Sequence, residues 1–190
     1  MLDNTLILPS RRALLSATGK TLSAAAVALV IGSKIKTASA ADASQDVQIL
    51  NAAIALEHEG IAAYQIAATS GLLQPAVVDI GVTFQGHHKG HRDILVKAVK
   101  TLGGTPAEEK SLGEYAKDLK ASTLKNQTDV LQLALGLERG AANAYLGLIP
   151  ALGPDFHQVA AQMAGDEAFH AAILANALGE PIPKNAMMFG

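Results

Sequence analysis

The strongest constraint in this sequence is a set of four apolar stripes, each interrupted near its middle by glutamate or histidine. Within each stripe, apolar side chains recur at alternating spacings of four and three residues, which is the period of one face of an α-helix. The interrupting residues, in chain order, are Glu57, His88, His91, Glu138, Glu167 and His170. The pattern predicts an all-α fold in which four helices bring these polar side chains together at one height of the core.

Proline in front and glycine behind mark the ends of the four predicted helices. The helices are expected at about residues 45–70, 76–102, 129–148 and 155–178. Between the second and third, the capping-box sequence Thr105-Pro106-Ala107-Glu108 predicts a shorter helix that reaches about Leu119. A connection of this length lets the second and third helices run parallel, and the tail from Glu180, with two prolines, is predicted to be extended.

The chain also contains an internal repeat that relates its two halves. A glutamate followed seven residues later by a tyrosine occurs in the first and third helices at an offset of 81 positions, and the second and fourth helices align at an offset of 79. The repeat predicts two related helix pairs with pseudo-two-fold symmetry. The two tyrosines, Tyr64 and Tyr145, lie on the same face as their glutamates. They either pack in the core or donate hydrogen bonds to the carboxylates.

The glutamates and histidines that interrupt the stripes are predicted to be buried. A carboxylate or imidazole on the core face of a helix loses its water and must be paired, protonated or coordinated. No lysine or arginine lies on any stripe to neutralise the three glutamates, whereas two metal cations would do so. The i,i+3 pairs, His88 with His91 and Glu167 with His170, each lie on one helix face. The six residues are therefore predicted to be metal ligands.

This arrangement resembles the ferritin-like carboxylate proteins, which place one glutamate on each of two helices and Glu-x-x-His on each of the other two. Glu57 and Glu138 match the single glutamates, and Glu167-Ala168-Phe169-His170 matches one Glu-x-x-His. His88-Lys89-Gly90-His91 takes the place of the other, with histidine where glutamate is expected. The resemblance implies a ferritin-like four-helix bundle over residues 41–190 and a centre of two metal ions. Iron is expected first, and manganese, zinc and copper stay open.

Several other polar or small residues have more than one interpretation. His87 has i,i+4 spacing to His91 and is the alternative to His88 as a ligand. His58 and Glu59 are expected beside Glu57 on a face that is either solvated or in contact with the ligand residues. Four glycines inside the predicted helices are expected to allow close helix packing or to leave a path for a small oxidant: Gly86, Gly90, Gly140 and Gly165.

The resemblance leaves three functions open. The first is oxidoreductase chemistry on O2 or peroxide, with a role in protection against oxidative stress, as in rubrerythrins and bacterioferritins. The second is metal binding or storage without turnover, and the third is a bundle that has lost the metal and serves a structural or stress-protective role. The expected partners are metal ions and small oxidants, and a homo-oligomer stays open. Nucleic acid is not expected, because the chain carries no run of basic residues.

The first forty residues predict export. Ser10-Arg11-Arg12 resembles a twin-arginine signal, an apolar stretch follows at residues 22–31, and Ala38-Ser39-Ala40 offers a small-x-small cleavage site. An uncleaved membrane anchor is the alternative, although the apolar stretch is short for a span, which needs about 20 residues. Cleavage after Ala40 would leave a chain of net charge −6 in the periplasm or outside the cell.

Replacing Arg11 and Arg12 by lysine should trap the precursor in the cytoplasm, because the predicted export pathway depends on the arginine pair. Cell fractionation would follow the location, and N-terminal sequencing of the exported protein should begin at Ala41. Undiminished export of the double-lysine variant would contradict the twin-arginine interpretation.

Overall fold

A computed structural model describes residues 43–189 of the chain, and the predicted signal peptide lies outside this range. Within it the protein is all-α, as predicted. No helix in residues 43–189 is both long and apolar enough to cross a membrane. The helices are α1 (Ala43–Thr69), α2 (Pro75–Thr101), α3 (Leu112–Asp118), α4 (Gln127–Leu148) and α5 (Pro154–Ala177), with short 3-10 turns at Ala121–Thr123 and Ile149–Ala151.

The helix ends follow the predicted punctuation. Pro75 and Pro154 occupy the first turns of α2 and α5, where the missing backbone N–H costs nothing. Gly71, Gly103 and Gly179 follow α1, α2 and α5 with φ angles of 71°, 77° and 71°. This left-handed conformation strains residues that carry a Cβ. The four long helices therefore begin and end within about two residues of the positions expected from sequence, which is the usual uncertainty of helix ends.

The bundle consists of two antiparallel helix pairs. α1 packs along α2, α4 packs along α5, and α3 lies on α1. The long connection between α2 and α4 makes these two helices parallel, as predicted. One apolar cluster, which includes Ile54, Val99 and Leu148, fills the end of the bundle near the start of α1. A second, which includes Phe84, Leu135 and Leu174, fills the other end. Between them, the core at mid-height is polar.

The connection corrects one prediction. Residues 104–110 are not helical, and α3 begins only after Ser111, which forms the capping box with Glu114. The reason lies on α1: the Asn51 side chain accepts a hydrogen bond from Ala107 N at 2.7 Å and donates one to Thr105 O at 2.9 Å. Thr105 O, the carbonyl that would accept the first intrahelical hydrogen bond of the predicted helix, is therefore bound to α1.

The tail after α5 has no regular secondary structure, as predicted. Arg139 donates a hydrogen bond to Glu180 at 2.6 Å, and Phe189 packs against the second apolar cluster. The tail thus crosses the end of the bundle and covers part of its core.

Asp46 joins the start of α1 to the start of α5. Its side chain is buried and accepts a hydrogen bond from Gly153 N, the cap residue of α5, at 2.8 Å. A Cβ at Gly153 would lie 2.7 Å from Asp46 Oδ2, so this close approach requires glycine. The contact satisfies a backbone N–H that the helix itself cannot use.

Asp46→Ala should lower the free energy of unfolding by about 1–3 kcal/mol, because it leaves a buried N–H without an acceptor. Asp46→Asn keeps an acceptor oxygen and should cost less. Asp79→Ala, which removes an exposed carboxylate from α2, is the matched control and should change little. Urea unfolding would measure all three. An Asp46→Ala variant as stable as Asp79→Ala would contradict this role.

Candidate metal centre

The six polar residues predicted from the stripes meet in the middle of the bundle. Each is at most 6% exposed, and Glu167 and His170 are fully buried. We call these six residues the His–Glu cluster: Glu57, His88, His91, Glu138, Glu167 and His170. In the part of the chain that the structure describes, their charged contacts are with one another and with Asp166, and no lysine or arginine pairs with the three glutamates.

The cluster divides into two overlapping groups that can each hold a metal ion. One group contains Glu57, His88, His91 and Glu167, and the other contains His88, Glu138, Glu167 and His170. In each group the ligand atoms lie within 4.8 Å of one another. Both groups have two carboxylates and two imidazoles, and His88 and Glu167 belong to both.

Glu167 lies between the two other histidines. His91 Nδ1 is 3.1 Å from Glu167 Oε1, and His170 Nδ1 is 3.3 Å from Glu167 Oε2. Glu167 Oε2 is buried and has no hydrogen-bond partner of good geometry among the described residues. Protein groups alone therefore do not satisfy this buried carboxylate oxygen. An oxygen that binds a cation would lack a protein partner in the same way when no metal is bound.

The His88 ring occupies the position between the two single glutamates. Its Nδ1 is 2.7 Å from Glu57 Oε2, and its Nε2 is 3.3 Å from Glu138 Oε1. Gly60 makes this position accessible, because a Cβ there would lie 3.0 Å from the His88 ring. Sequence reasoning missed Gly60, although its place three residues after Glu57, on the same side of α1, was the available signal.

The two tyrosines donate hydrogen bonds across the bundle. Tyr64 on α1 donates to Glu138 on α4, and Tyr145 on α4 donates to Glu57 on α1. Burial raises the pKa of both tyrosines well above its ordinary value, and the neighbouring glutamates raise it further, so both hydroxyls keep their protons. Of the two interpretations of these tyrosines, hydrogen bonding to the carboxylates is therefore the one that the structure supports.

On the α2–α5 face, two surface side chains contact the outward nitrogens of the cluster histidines. His91 Nε2 is 3.1 Å from Asp166 Oδ2, and His170 Nε2 is 2.9 Å from His87 Nδ1. His87 is exposed, so it lies outside the cluster and His88 lies within it. Asp166 was not predicted, because it lies off the apolar stripe; the available signals were its place next to Glu167 and its alignment with His87 in the internal repeat.

A solvated face for His58 and Glu59 is wrong, and so is close helix packing at three of the glycines, whereas a path for a small oxidant at the glycines stays a prediction. His58 and Glu59 are buried under the connection, where His58 Nε2 donates to Ala107 O at 3.3 Å. A Cβ at Gly86, Gly90 or Gly165 would meet no other atom within 4 Å, so these glycines do not mark close helix contacts. The connection explains the first difference, because it covers a face that the periodicity of α1 alone assigns to solvent.

Comparison with known proteins agrees with this geometry. The family model described as a ferritin-like domain matches residues 45–180. The chain belongs to the ferritin-like family. No match was found among curated proteins.

Family membership and the buried cluster together make this ferritin-like protein compatible with metal binding. The histidines all direct Nδ1 toward glutamates, and two of them have Nε2 fixed from outside, an arrangement that orients imidazole ligands. What distinguishes this ferritin-like chain from the four-glutamate pattern is His88.

With no metal bound, the cluster neutralises itself by protonation. Burial opposes the charge on His91, but hydrogen bonds to Glu167 and Glu57 raise its pKa to about 10. The pKa of His88 is raised well above its ordinary value for the same reason. Burial would raise the pKa of Glu57 and Glu138, but the histidines outweigh it and lower both, whereas burial keeps the pKa of Glu167 raised. A metal would therefore displace protons from the histidines.

The metal-free ferritin-like bundle should lose stability as the pH rises from about 7 to about 10. Histidines with raised pKa values contribute stability that is complete below their unfolded-state pKa, ~6.5, and is lost as the pH rises through the folded-state value. Each kcal/mol lost should lower Tm by about 2–4 °C for a domain of this size. Circular dichroism melts in the presence of a chelator would measure the change.

His157→Gln is the matched control, since His157 lies outside the cluster and bonds to Leu152 O. It should leave the pH profile unchanged, whereas His91→Gln should flatten it. An equally steep profile in His91→Gln would contradict the assignment of this pH dependence to the cluster.

Proposed function

We propose that this ferritin-like protein binds two transition-metal ions in the His–Glu cluster and uses them to reduce O2 or peroxide. The observation that carries the proposal is the convergence of six buried ligand residues in two overlapping four-residue groups. Iron is the metal we expect, and manganese is the second candidate, since mixed carboxylate and imidazole ligands suit both. When bound, such a pair of ions supplies electrons one at a time through a change of oxidation state.

Two bound cations would balance the charge of the His–Glu cluster better than its own histidines do. Three buried glutamates need positive charge, and among residues 43–189 histidines are the only positively charged partners they have. Glu167 would be the ligand that both ions share, because its two oxygens face His91 and His170 respectively. Glu57 and Glu138 would be terminal ligands, each held by a tyrosine from the opposite helix pair.

A centre for turnover fits this geometry better than a store. The six ligands lie at mid-height between two apolar clusters, and their burial leaves room for individual ions, not for a mineral particle. Burial also excludes water, which strengthens electrostatic interactions at the centre. The chain's own contributions are to hold the ligands, to keep the tyrosine protons in place and to keep bulk water out.

His88 should make the two metal sites unequal. A neutral imidazole binds one ion through one nitrogen, whereas a carboxylate can bind two. Whichever group uses His88 has two imidazoles, and the other has one. The site with more imidazole should prefer softer ions such as zinc or copper, and the carboxylate-rich site should resemble an ordinary iron site.

We further propose that the protein acts outside the cytoplasm in protection against oxidative stress. The twin-arginine-like residues Arg11 and Arg12 support this, since that pathway carries folded proteins that often already contain a cofactor. Reduction of an oxidant at a buried centre would be useful where the protein meets O2 or peroxide directly.

Anaerobic titration with Fe(II), Mn(II) and Zn(II) should give two metals per chain in two distinguishable steps. Glu167→Gln should abolish much of the binding, because both groups lose their shared carboxylate. Metal-loaded wild-type protein should also melt higher than metal-free protein, by mass action. Isothermal titration calorimetry and elemental analysis would measure affinity and stoichiometry.

Glu108→Gln, which removes an exposed carboxylate in the connection, is the matched control and should bind two metals normally. His88→Glu should bring the two steps closer together and favour iron. Wild-type protein that binds none of the three metals would overturn the proposal. Two equal steps that His88→Glu leaves unchanged would show that His88 is not a ligand.

A further inference from the structure

An apolar passage leads to the His–Glu cluster from the face opposite His87 and Asp166. It lies between α1, α4 and the connection, and its inner end is formed by Tyr64, His88 and Glu138. Its walls are aliphatic, and they include Ala63, Ala67, Leu119, Leu124, Ala134 and Leu137. Glu59 is the one other charged side chain of the lining.

The passage exists because the two helix pairs meet loosely on this face. α1 packs mainly on α2, and α4 packs mainly on α5, so α1 and α4 touch less closely. Small side chains, among them Ala63 and Ala134, leave the space between the two helices open. The connection borders its outer end, where Tyr115 and Leu119 pack against Ile66 and Leu133 and where Ala121 and Leu124 of the lining are partly exposed.

The size and lining of the passage decide what can use it. Its internal volume of about 40 Å³ exceeds the ~10–15 Å³ that one water-sized molecule requires. Hydrogen peroxide and hydrated metal ions would lose hydrogen bonds along aliphatic walls, and this loss is costly. A small apolar molecule loses none.

The opposite face has the contrasting chemistry. There the exposed His87 and Asp166 touch the outward nitrogens of His170 and His91, and Gly86, Gly90 and Gly165 put no side chain over them. Polar molecules and ions can therefore approach the cluster along polar side chains on the α2–α5 face. The passage on the α1–α4 face suits small apolar molecules.

We propose that the apolar passage is the entrance for dioxygen and that O2, not peroxide, is the oxidant that reaches the cluster through it. The inference rests on the proposed function and specifies its substrate. O2 would arrive beside His88 and Glu138, at the group completed by Glu167 and His170. Tyr64 lies at the inner end, and its hydroxyl donates its hydrogen bond to Glu138. This hydroxyl therefore does not make the passage polar.

Two measurements test the passage, and the first needs no metal. Xenon, an apolar atom that occupies dry cavities, should bind between α1 and α4 in xenon-pressurised crystals of the metal-free protein. The double variant Ala63→Leu/Ala134→Leu fills the walls and should abolish that site. Wild-type crystals without xenon in the passage would overturn the proposal whether or not the cluster binds metal.

The second measurement compares two oxidants on Fe(II)-loaded protein. Two ferrous ions supply the two electrons that, with two protons, convert O2 to hydrogen peroxide, or convert hydrogen peroxide to two waters. The double variant should oxidise about tenfold more slowly with O2 and at an unchanged rate with peroxide. Stopped-flow absorbance would follow both reactions.

Ala161→Leu, at an exposed position of α5, is the matched control and should leave both rates unchanged. Equal slowing with both oxidants, or no slowing with O2, would overturn the proposal. Wild-type protein that takes up no iron would instead contradict the proposed function, and the xenon result would still decide on the passage. Circular dichroism of the double variant would check that it is folded.

Discussion

The structure depends on three carboxylates that have been moved out of water into the centre of a helical bundle. An isolated buried carboxylate is too costly to keep, so everything around the cluster supplies compensation. The histidines lend positive charge, the tyrosines lend hydrogen bonds, and the outer side chains His87 and Asp166 fix two of the imidazoles. The apolar clusters above and below provide the stability that allows the middle of the core to be polar.

Compensation by protonated histidine and compensation by metal compete for the same atoms. The raised pKa values of His88 and His91 describe the first solution, in which the histidines carry the positive charge themselves. A metal ion would have to replace those protons, so metal binding would be linked to pH and to folding. The fold should persist in either form, because aliphatic packing, not the cluster, occupies most of each stripe.

Much of this arrangement was predictable from the sequence, for identifiable reasons. The four long helices and the six buried polar residues follow from periodicity, and the choice of His88 over His87 follows from the internal repeat. The connection was not predictable in detail, because Asn51, which is distant in sequence, binds Thr105 O, the carbonyl that the first turn of a helix capped at Thr105 would have used. For the same reason His58 and Glu59 were assigned to solvent, although the connection covers them. Gly60 and Asp166 act through contacts between helices; the pattern within one helix places them beside Glu57 and Glu167 but does not reveal those contacts.

The crossed tyrosine bonds give the cluster a particular relation to the internal repeat. Each half of the chain contributes a glutamate whose hydroxyl partner belongs to the other half, so neither helix pair completes its own carboxylate. The cluster is thus an interface between two similar units, and two identical helix pairs associating around a two-fold axis would reproduce the same contacts. Such a symmetric dimer would be forced to carry the same residue on both second helices. Joining the units in one chain removes that restriction, and the difference between His88 and Glu167 is an asymmetry that a dimer of identical helix pairs could not have.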